Sequence, residues 1–391
     1  MITEKQMNRM NKDIYFMPLG GGQSVGASCY YLRLGQHSII LDAGVGGDGS
    51  AIYGPNLYSL LTTPFIYSYG QIDQIYISHA HMDHVGYLCE LMEKATRASV
   101  YMTNETAILA EYQLYDRRYI GISEIQKEKS MAAKSIFDRL TRVSYMNPMD
   151  FGKYKVNFFE AGHIPGAMMT LFEFANKKIL YTGDYSLCRT ALTDGCVIPK
   201  GLDIDILIIC ALHAKHPNHM KKSDYLRRSV LKALDTVTFY KKNVLCRVSQ
   251  LSKGVELLKM INEKNTGEIP IYIDRNILNT LTKMESFSGQ IMTEQNKIMT
   301  GSIPNVPHIL ITADKRFPRG IYEEISSDFS LHENFEDLQT FIRTINPKTA
   351  VLVHCAGEQS SSDQTMEQLL MIDGDCRTQF IFAEDNQLYK L

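Results

Sequence analysis

The stretch Tyr76–Leu88, YISHAHMDHVGYL, sets three imidazoles and a carboxylate directly behind an apolar run: His79, His81, Asp83 and His84. Read as a strand that breaks into a turn, it has a chemical consequence. Alternate residues of an extended segment share a face, so His79 and His81 can reach one ion, while Asp83 and His84 follow on the turn and can face a second. A lone histidine is more often an inert core or surface residue. Gathering four such groups without a partner is costly, so the string reads as metal-binding.

Four residues do not complete a two-metal hydrolytic site, and further ligands are expected at strand ends downstream. FFEAGHIPGA ends a strand at His163, KILYTGDYS ends one at Asp184, and TAVLVHCAG ends one at His354. Each is weak alone, since an aspartate after glycine is commonly a turn residue. In this order, and each at the end of an apolar strand, they form a constellation.

The surrounding pattern supplies the strands. Glycine turns separate strands at Ser28–Leu34 and Ser38–Asp42, and a helix is expected from about Gly86. ASVYMTN reads as a strand followed by a helical cover from about Thr106 to Leu140. KVNFFEAGH, MMTLFEFA, KILYTGD and DILIICA resume the strand rhythm. Mixed strands with helices outside them give an α/β sandwich. From about Ala211 the strand-like KNVLCRVS, IPIYID and PHILITAD alternate with the helix-like KGVELLKMINEK and NILNTLTKMESF. That alternation is the signature of a small, doubly wound parallel unit. The final FSLHENFEDLQTFIRTINPKTAVLVHCAG returns to a helix and an apolar strand.

Composition narrows the class. A chain of 391 residues carries two domains as its natural prior, and 45% hydrophobic with 21% charged residues is ordinary for a globular protein. A net charge of −2 argues against a uniformly basic nucleic-acid coat but leaves room for a local basic groove. The uncharged run 49–72 contains Gly54, Pro55 and Pro64, so it is expected to be a loop or capping segment, not a membrane span. The N-terminal residues mix both charges without an apolar core, unlike a secretory signal. Eight scattered cysteines, with no C-x-x-C pair, suit a reducing cytoplasm.

The order HxHxDH, His, Asp, together with LGGGQSVGASCYYL and ILDAG upstream, resembles the metallo-β-lactamase fold superfamily. VLCRVSQLSKGVELL, IPIYID, FSLHENFEDLQTFI and VLVHCAG resemble motifs of its β-CASP nucleases, the group of RNA 3′-end-processing endonucleases and ribonuclease J. The resemblance implies an αββα sandwich with an inserted, Rossmann-like β-CASP domain: a first part at 1–208, a shortened insert at 209–325 and a C-terminal part at 326–391. It implies two zinc ions, one held by His79, His81 and His163 and the other by Asp83, His84 and His354, with Asp184 bridging. Asp83 and Asp184 would then be catalytic as well as ligating. A hydroxide held between two cations would attack phosphorus, and His332 would protonate the leaving oxygen. A blander alternative for His332 is that it caps the helix that follows.

The sequence departs from that family at four places. Cys210 stands where the family carries an acid that orients the motif histidine, and a thiol replaces a carboxylate poorly. His213 lies near the position of the family's tyrosine, and Cys355 stands where a glycine usually follows the last histidine. Lys253 occupies the loop of a family phosphate contact. The basic run His213–Ser229, which includes Lys215, is either a solvated helix face or a second contact to substrate phosphates. The resulting expectation is a zinc-dependent ribonuclease acting on RNA in the cytoplasm, without membrane attachment. DNA cleavage, a weakly active scaffold of an RNA-processing complex and a small-molecule hydrolase are the alternatives. Internal or terminal cutting, sequence preference and oligomeric state stay open at this stage.

Overall fold

The computed structural model describes residues 12–47, 51–116, 137–214, 223–248, 251–267, 269–300, 302–314, 319–326, 329, 331–355 and 378–391. The chain divides into two compact units. One comprises Met1–Leu187, Gly195–His219 and His332–Leu391, and the other Cys188–Asp194 and Met220–Leu331.

The first unit holds two seven-stranded mixed sheets. One runs in the order Tyr389–Lys390, Ile14–Gly20, Cys29–Leu34, His37–Leu41, Gln74–Tyr76, Ser99–Thr103, Leu140–Val143. Its pairs are antiparallel up to His37–Leu41 and parallel beyond. The other runs Gln379–Phe382, Thr349–Val353, Ile206–Cys210, Lys177–Tyr181, Met168–Phe174, Tyr154–Glu160, Met149–Asp150. Here the first three pairs are parallel and the rest antiparallel.

Period-two alternation decides how the sheets meet. Tyr30, Leu32 and Leu34 from one sheet, with Val156, Phe158, Phe172, Ile206, Ile208 and Val351 from the other, belong to a single buried core. Alternate side chains of each sheet therefore face the opposite sheet. Tyr76 meets Phe172 edge-on with ring centroids 5.2 Å apart, a preferred aromatic geometry across the two layers. The central strand Ile206–Cys210 is buried at every residue, as expected of a parallel strand covered on both faces. Its apolar run ILIIC follows from that position.

In the second unit five strands, Asn296–Ile298, Ile271–Ile273, Ile309–Thr312, Val244–Arg247 and Glu323–Glu324, form an all-parallel sheet. Helices Lys253–Lys264 and Arg275–Ser288 supply the crossovers. Asp274 caps the second helix by accepting the Ile277 N–H at 2.9 Å.

Two expectations need adjustment. The helix expected over 106–140 is seen as Asn104–Glu111 with a following turn to Asp116, residues 117–136 lie outside the described set, and Leu140 starts a strand. Helix Phe335–Ile345 is capped by Asn334, which accepts the Asp337 N–H at 2.9 Å, so His332 does not serve as its cap. No helix among the described residues is long and apolar enough to cross a membrane.

Candidate metal centre

The predicted ligands leave their strands at one end of the two sheets. His79 and His81 follow the strand Gln74–Tyr76, and Asp83 and His84 sit on the single helical turn Met82–Val85. His163 lies beyond Glu160, Asp184 beyond Tyr181, and His354 one residue past Val353. Parallel strands carry their C-termini to the same edge, which is why positions far apart in sequence converge.

They converge in two groups. Ligand atoms of His79, His81, His163 and Asp184 all lie within 4.8 Å of one another, as do those of Asp83, His84 and His354. His79 Nε2 and His163 Nε2 each approach His81 Nδ1 to 3.1 Å. Nitrogens ligating one tetrahedral zinc at 2.0–2.1 Å sit about 3.3 Å apart, so this spacing suits a cation at the centre. Asp184 is shared between the groups: its Oδ2 is 3.3 Å from His84 Nε2, 3.7 Å from His79 Nε2 and 3.8 Å from His163 Nε2. Buried atoms with no hydrogen-bond partner among the described residues include both Asp184 oxygens and His354 Nε2. A dry imidazole nitrogen and carboxylate oxygens left unsatisfied fit a divalent metal.

The electrostatics agree. Burial, together with neighbouring imidazoles, holds His79 well below the usual histidine range and His81 at about 3, so both are in the neutral, ligating form near pH 7. Burial alone would lower His84 too, but Asp184 and Asp42 outweigh it and hold its pKa well above the usual value. Burial would raise Asp184, but His84, His354 and His332 outweigh it and keep the carboxyl ionised. The Asp184 carboxylate and the neutral imidazoles of His79 and His81 invite positive charge, and His84 already answers part of that demand by holding a proton beside Asp184 and Asp42.

Residues around the ligands aim them. Asp42 accepts the Ser78 N–H at 2.6 Å and the Ser78 hydroxyl at 2.7 Å, receives the Tyr181 hydroxyl at 2.5 Å, and lies 2.8 Å from His84 Nδ1. His84 Nε2 is thereby turned towards Asp184. Ser28 Oγ lies 2.9 Å from His354 Nδ1 and orients the last histidine in the same way. Gly44 lets these loops approach: a Cβ there would lie 1.6 Å from the Asp83 carbonyl oxygen. Gly183, at φ +55°, makes the turn into Asp184, and a Cβ would meet Ser78 Cβ at 2.5 Å.

His332 joins the cluster, with Nδ1 3.3 Å from Asp184 Oδ2 and its ring centroid 4.4 Å from that of His163. Asp184, Cys210 and His332 form a third group of ligand-type atoms. Burial, reinforced by Asp184 and Glu333, pushes the Cys210 thiol well above its ordinary value, so it is a thiol and not a thiolate. Glu333, wholly buried, lies against that sulfur, with its oxygens 3.9 and 4.0 Å from Sγ.

The substrate candidates are less unified. His213 is buried in the loop after the Cys210 strand. Lys253 begins the helix Lys253–Lys264 in the second unit, its Nζ 5.5 Å from the Phe329 ring centroid. Lys215 lies outside the described residues. Sequence reasoning passed over Ser28, Asp42 and Glu333 as site residues. For Asp42 a signal existed, since ILDAG puts a charge at the end of an apolar strand. For Glu333 there was none beyond its place beside His332.

The site gathers a ligand set for a divalent metal on a mixed α/β scaffold. Residues 54–222 match the family model of the Anti-Pycsar protein Apyc1. The endoribonuclease ysh1 of Schizosaccharomyces pombe is 30% identical over 66% of this chain and 34% of its own length. The endoribonuclease ysh-1 of Neurospora crassa is 27% identical over 68% and 32%, and the cleavage and polyadenylation specificity factor 73 of Drosophila melanogaster 29% over 65% and 37%. The chain thus spans about a third of the length of these curated relatives. Its homologues are Ysh1/CPSF73 endoribonucleases, β-CASP members of the metallo-β-lactamase family. A crystal structure of a protein of unknown function from Enterococcus faecalis V583 shares the fold. Its TM-score is 0.64 and its identity 14%, covering 97% of this chain and all of its own.

Proposed function

We propose that this protein is a zinc-dependent ribonuclease that cleaves RNA phosphodiesters, built as an αββα sandwich with an inserted β-CASP domain. The observation that carries the reading is the pair of adjoining ligand groups sharing Asp184, with His332 at 3.3 Å from the same carboxylate. His79, His81 and His163 would hold one zinc and Asp83, His84 and His354 the other, with Asp184 near both groups. When bound, the two ions offset charge on the phosphate oxygens and acidify a water. Asp42 and Ser28 fix the ring orientation of His84 and His354. His332, not needed in either three-histidine or Asp–His–His set, carries the proton to the leaving oxygen. RNA is favoured by the endoribonuclease relatives; DNA is the competing polymer.

The test pairs metal analysis with cleavage of labelled single-stranded RNA and DNA. The parent protein should bind two zinc ions and cut RNA. Asp184→Ala should lose metal and nearly all activity. His332→Ala should keep both ions and lose about 10²–10⁴-fold in rate, the range typical of general acid catalysis. Preference for DNA would move the substrate assignment. Full metal occupancy without cleavage of either polymer would mark a scaffold.

A further inference from the structure

Glu333 is a wholly buried carboxylate one residue from the proposed proton donor, and the mechanism above makes no use of it. Its Oε1 accepts the Leu212 N–H at 2.9 Å, and its own N–H and that of His213 are also directed at the carboxylate. The Cys210 thiol packs against the same oxygens. Burying a carboxylate with backbone amides and a thiol as its partners is unfavourable, and burial indeed drives its pKa well above the ordinary carboxyl value, with Asp184 adding to the effect. Apolar residues would fill this space at lower cost. What the carboxylate accomplishes is a tie: it fastens residue 333 to the loop 210–213, which continues the central strand Ile206–Cys210. That strand is flanked by the strands delivering Asp184 and His354. On the other side, the Asn334–Asp337 capping box starts the helix Phe335–Ile345. His332 is therefore held by anchors on the two residues that follow it, with Nδ1 against Asp184.

We propose that Glu333 is the positioning residue for His332, holding its backbone to the end of the central strand where Cys210 offers no charge of its own. The inference rests on the ribonuclease reading for its catalytic consequence, though not for its structural one. Because Cys210 Sγ lies 3.9–4.0 Å from the Glu333 oxygens, a carboxylate placed on residue 210 would enter the same space. Residues 210 and 333 thus form one exchangeable position: a carboxyl group from either side can make the tie, and the buried space takes only one.

The experiment uses zinc-loaded full-length protein with two substrates, labelled single-stranded RNA and bis(p-nitrophenyl) phosphate. The nitrophenolate leaves without protonation, so only RNA reports on His332. Glu333→Gln should lower kcat on RNA at least about 30-fold with KM within about threefold. Hydrolysis of the nitrophenyl diester and zinc content should change little, the same profile as His332→Ala. Cys210→Glu should be impaired, and Cys210→Glu with Glu333→Gln should recover RNA cleavage above either single variant. Equal losses on both substrates, loss of zinc, unchanged RNA cleavage in Glu333→Gln, or no recovery in the double variant would each overturn the proposal. If the parent cuts no RNA, the function assignment fails while the tie is still decided by NMR. The imidazole resonance assigned to His332 should shift or broaden in Glu333→Gln and return in the double variant, and an unmoved resonance would refute it.

Discussion

Single residues here do two kinds of work, and sequence reveals them unequally. That the candidate ligands of the first loop cluster was legible because HxHxDH compresses them into six positions, and the convergence of the later ones because each ends an apolar strand. Asp42 shows what was not legible. Its role depends on Ser78, Tyr181 and His84 meeting it in space, and no local pattern announces that meeting. It also adopts φ 59°, a left-handed conformation that aspartate tolerates better than most residues. His354 sits at φ 55°, where its N–H reaches the Gly21 carbonyl at 2.7 Å. Each such residue carries a cost of about 1 kcal/mol or more, tolerated where geometry at a site demands it. Asparagine accepts the same backbone and nearly the same shape, so Asp42→Asn isolates the charge. It should weaken zinc binding about 10–100-fold, measured by competition with a chromophoric chelator, while leaving the fold intact by circular dichroism. An unchanged affinity would remove Asp42 from the account of how His84 is aimed.

At the scale of elements, the strand and helix rhythm was read well because both periodicities were strong, while charge buried at an element's end was not. Glu256 is such a case. It sits in the first turn of Lys253–Lys264 and is buried, accepting the N–H groups of Ala191 and Leu192 and so anchoring the segment 188–194 within the second unit. Burial outweighs these hydrogen bonds and raises its pKa from 4.5 to about 7. The folded state therefore holds this proton more tightly than the unfolded chain. The associated stability is complete below about pH 4.5 and is lost as pH rises to about 7, a span worth about 3 kcal/mol. Denaturant titrations from pH 5 to 7.5 should show this decline in the parent and a flatter profile in Glu256→Gln. Parallel slopes in the two proteins would exclude Glu256 as its source.

For the molecule as a whole, the two-sheet core explains why the ligands can be buried at all. Aromatic and aliphatic side chains from both layers fix the strands, and the strand ends can then hold polar groups that would otherwise disfavour folding. Converging carboxylates and imidazoles cost stability, and a bound cation offsets that cost. Removing metal with a chelator should lower the thermal midpoint, and restoring zinc should raise it progressively with free zinc concentration, a ligand at 100 times its Kd contributing about 2.7 kcal/mol. A midpoint indifferent to zinc would show that these groups do not hold it.

The pairing of Ile206–Cys210 with Thr349–Val353 has a consequence in time. A ribosome must make residues 211–348 after the first of these strands before the second exists, and His354 follows last. A growing chain can therefore display His79, His81, His163 and Asp184 while still lacking His332, the proposed proton donor, and His354, the last proposed ligand. The proposed site stays incomplete in any nascent chain shorter than 354 residues, so a chain emerging beside its own messenger carries an unfinished blade up to that point.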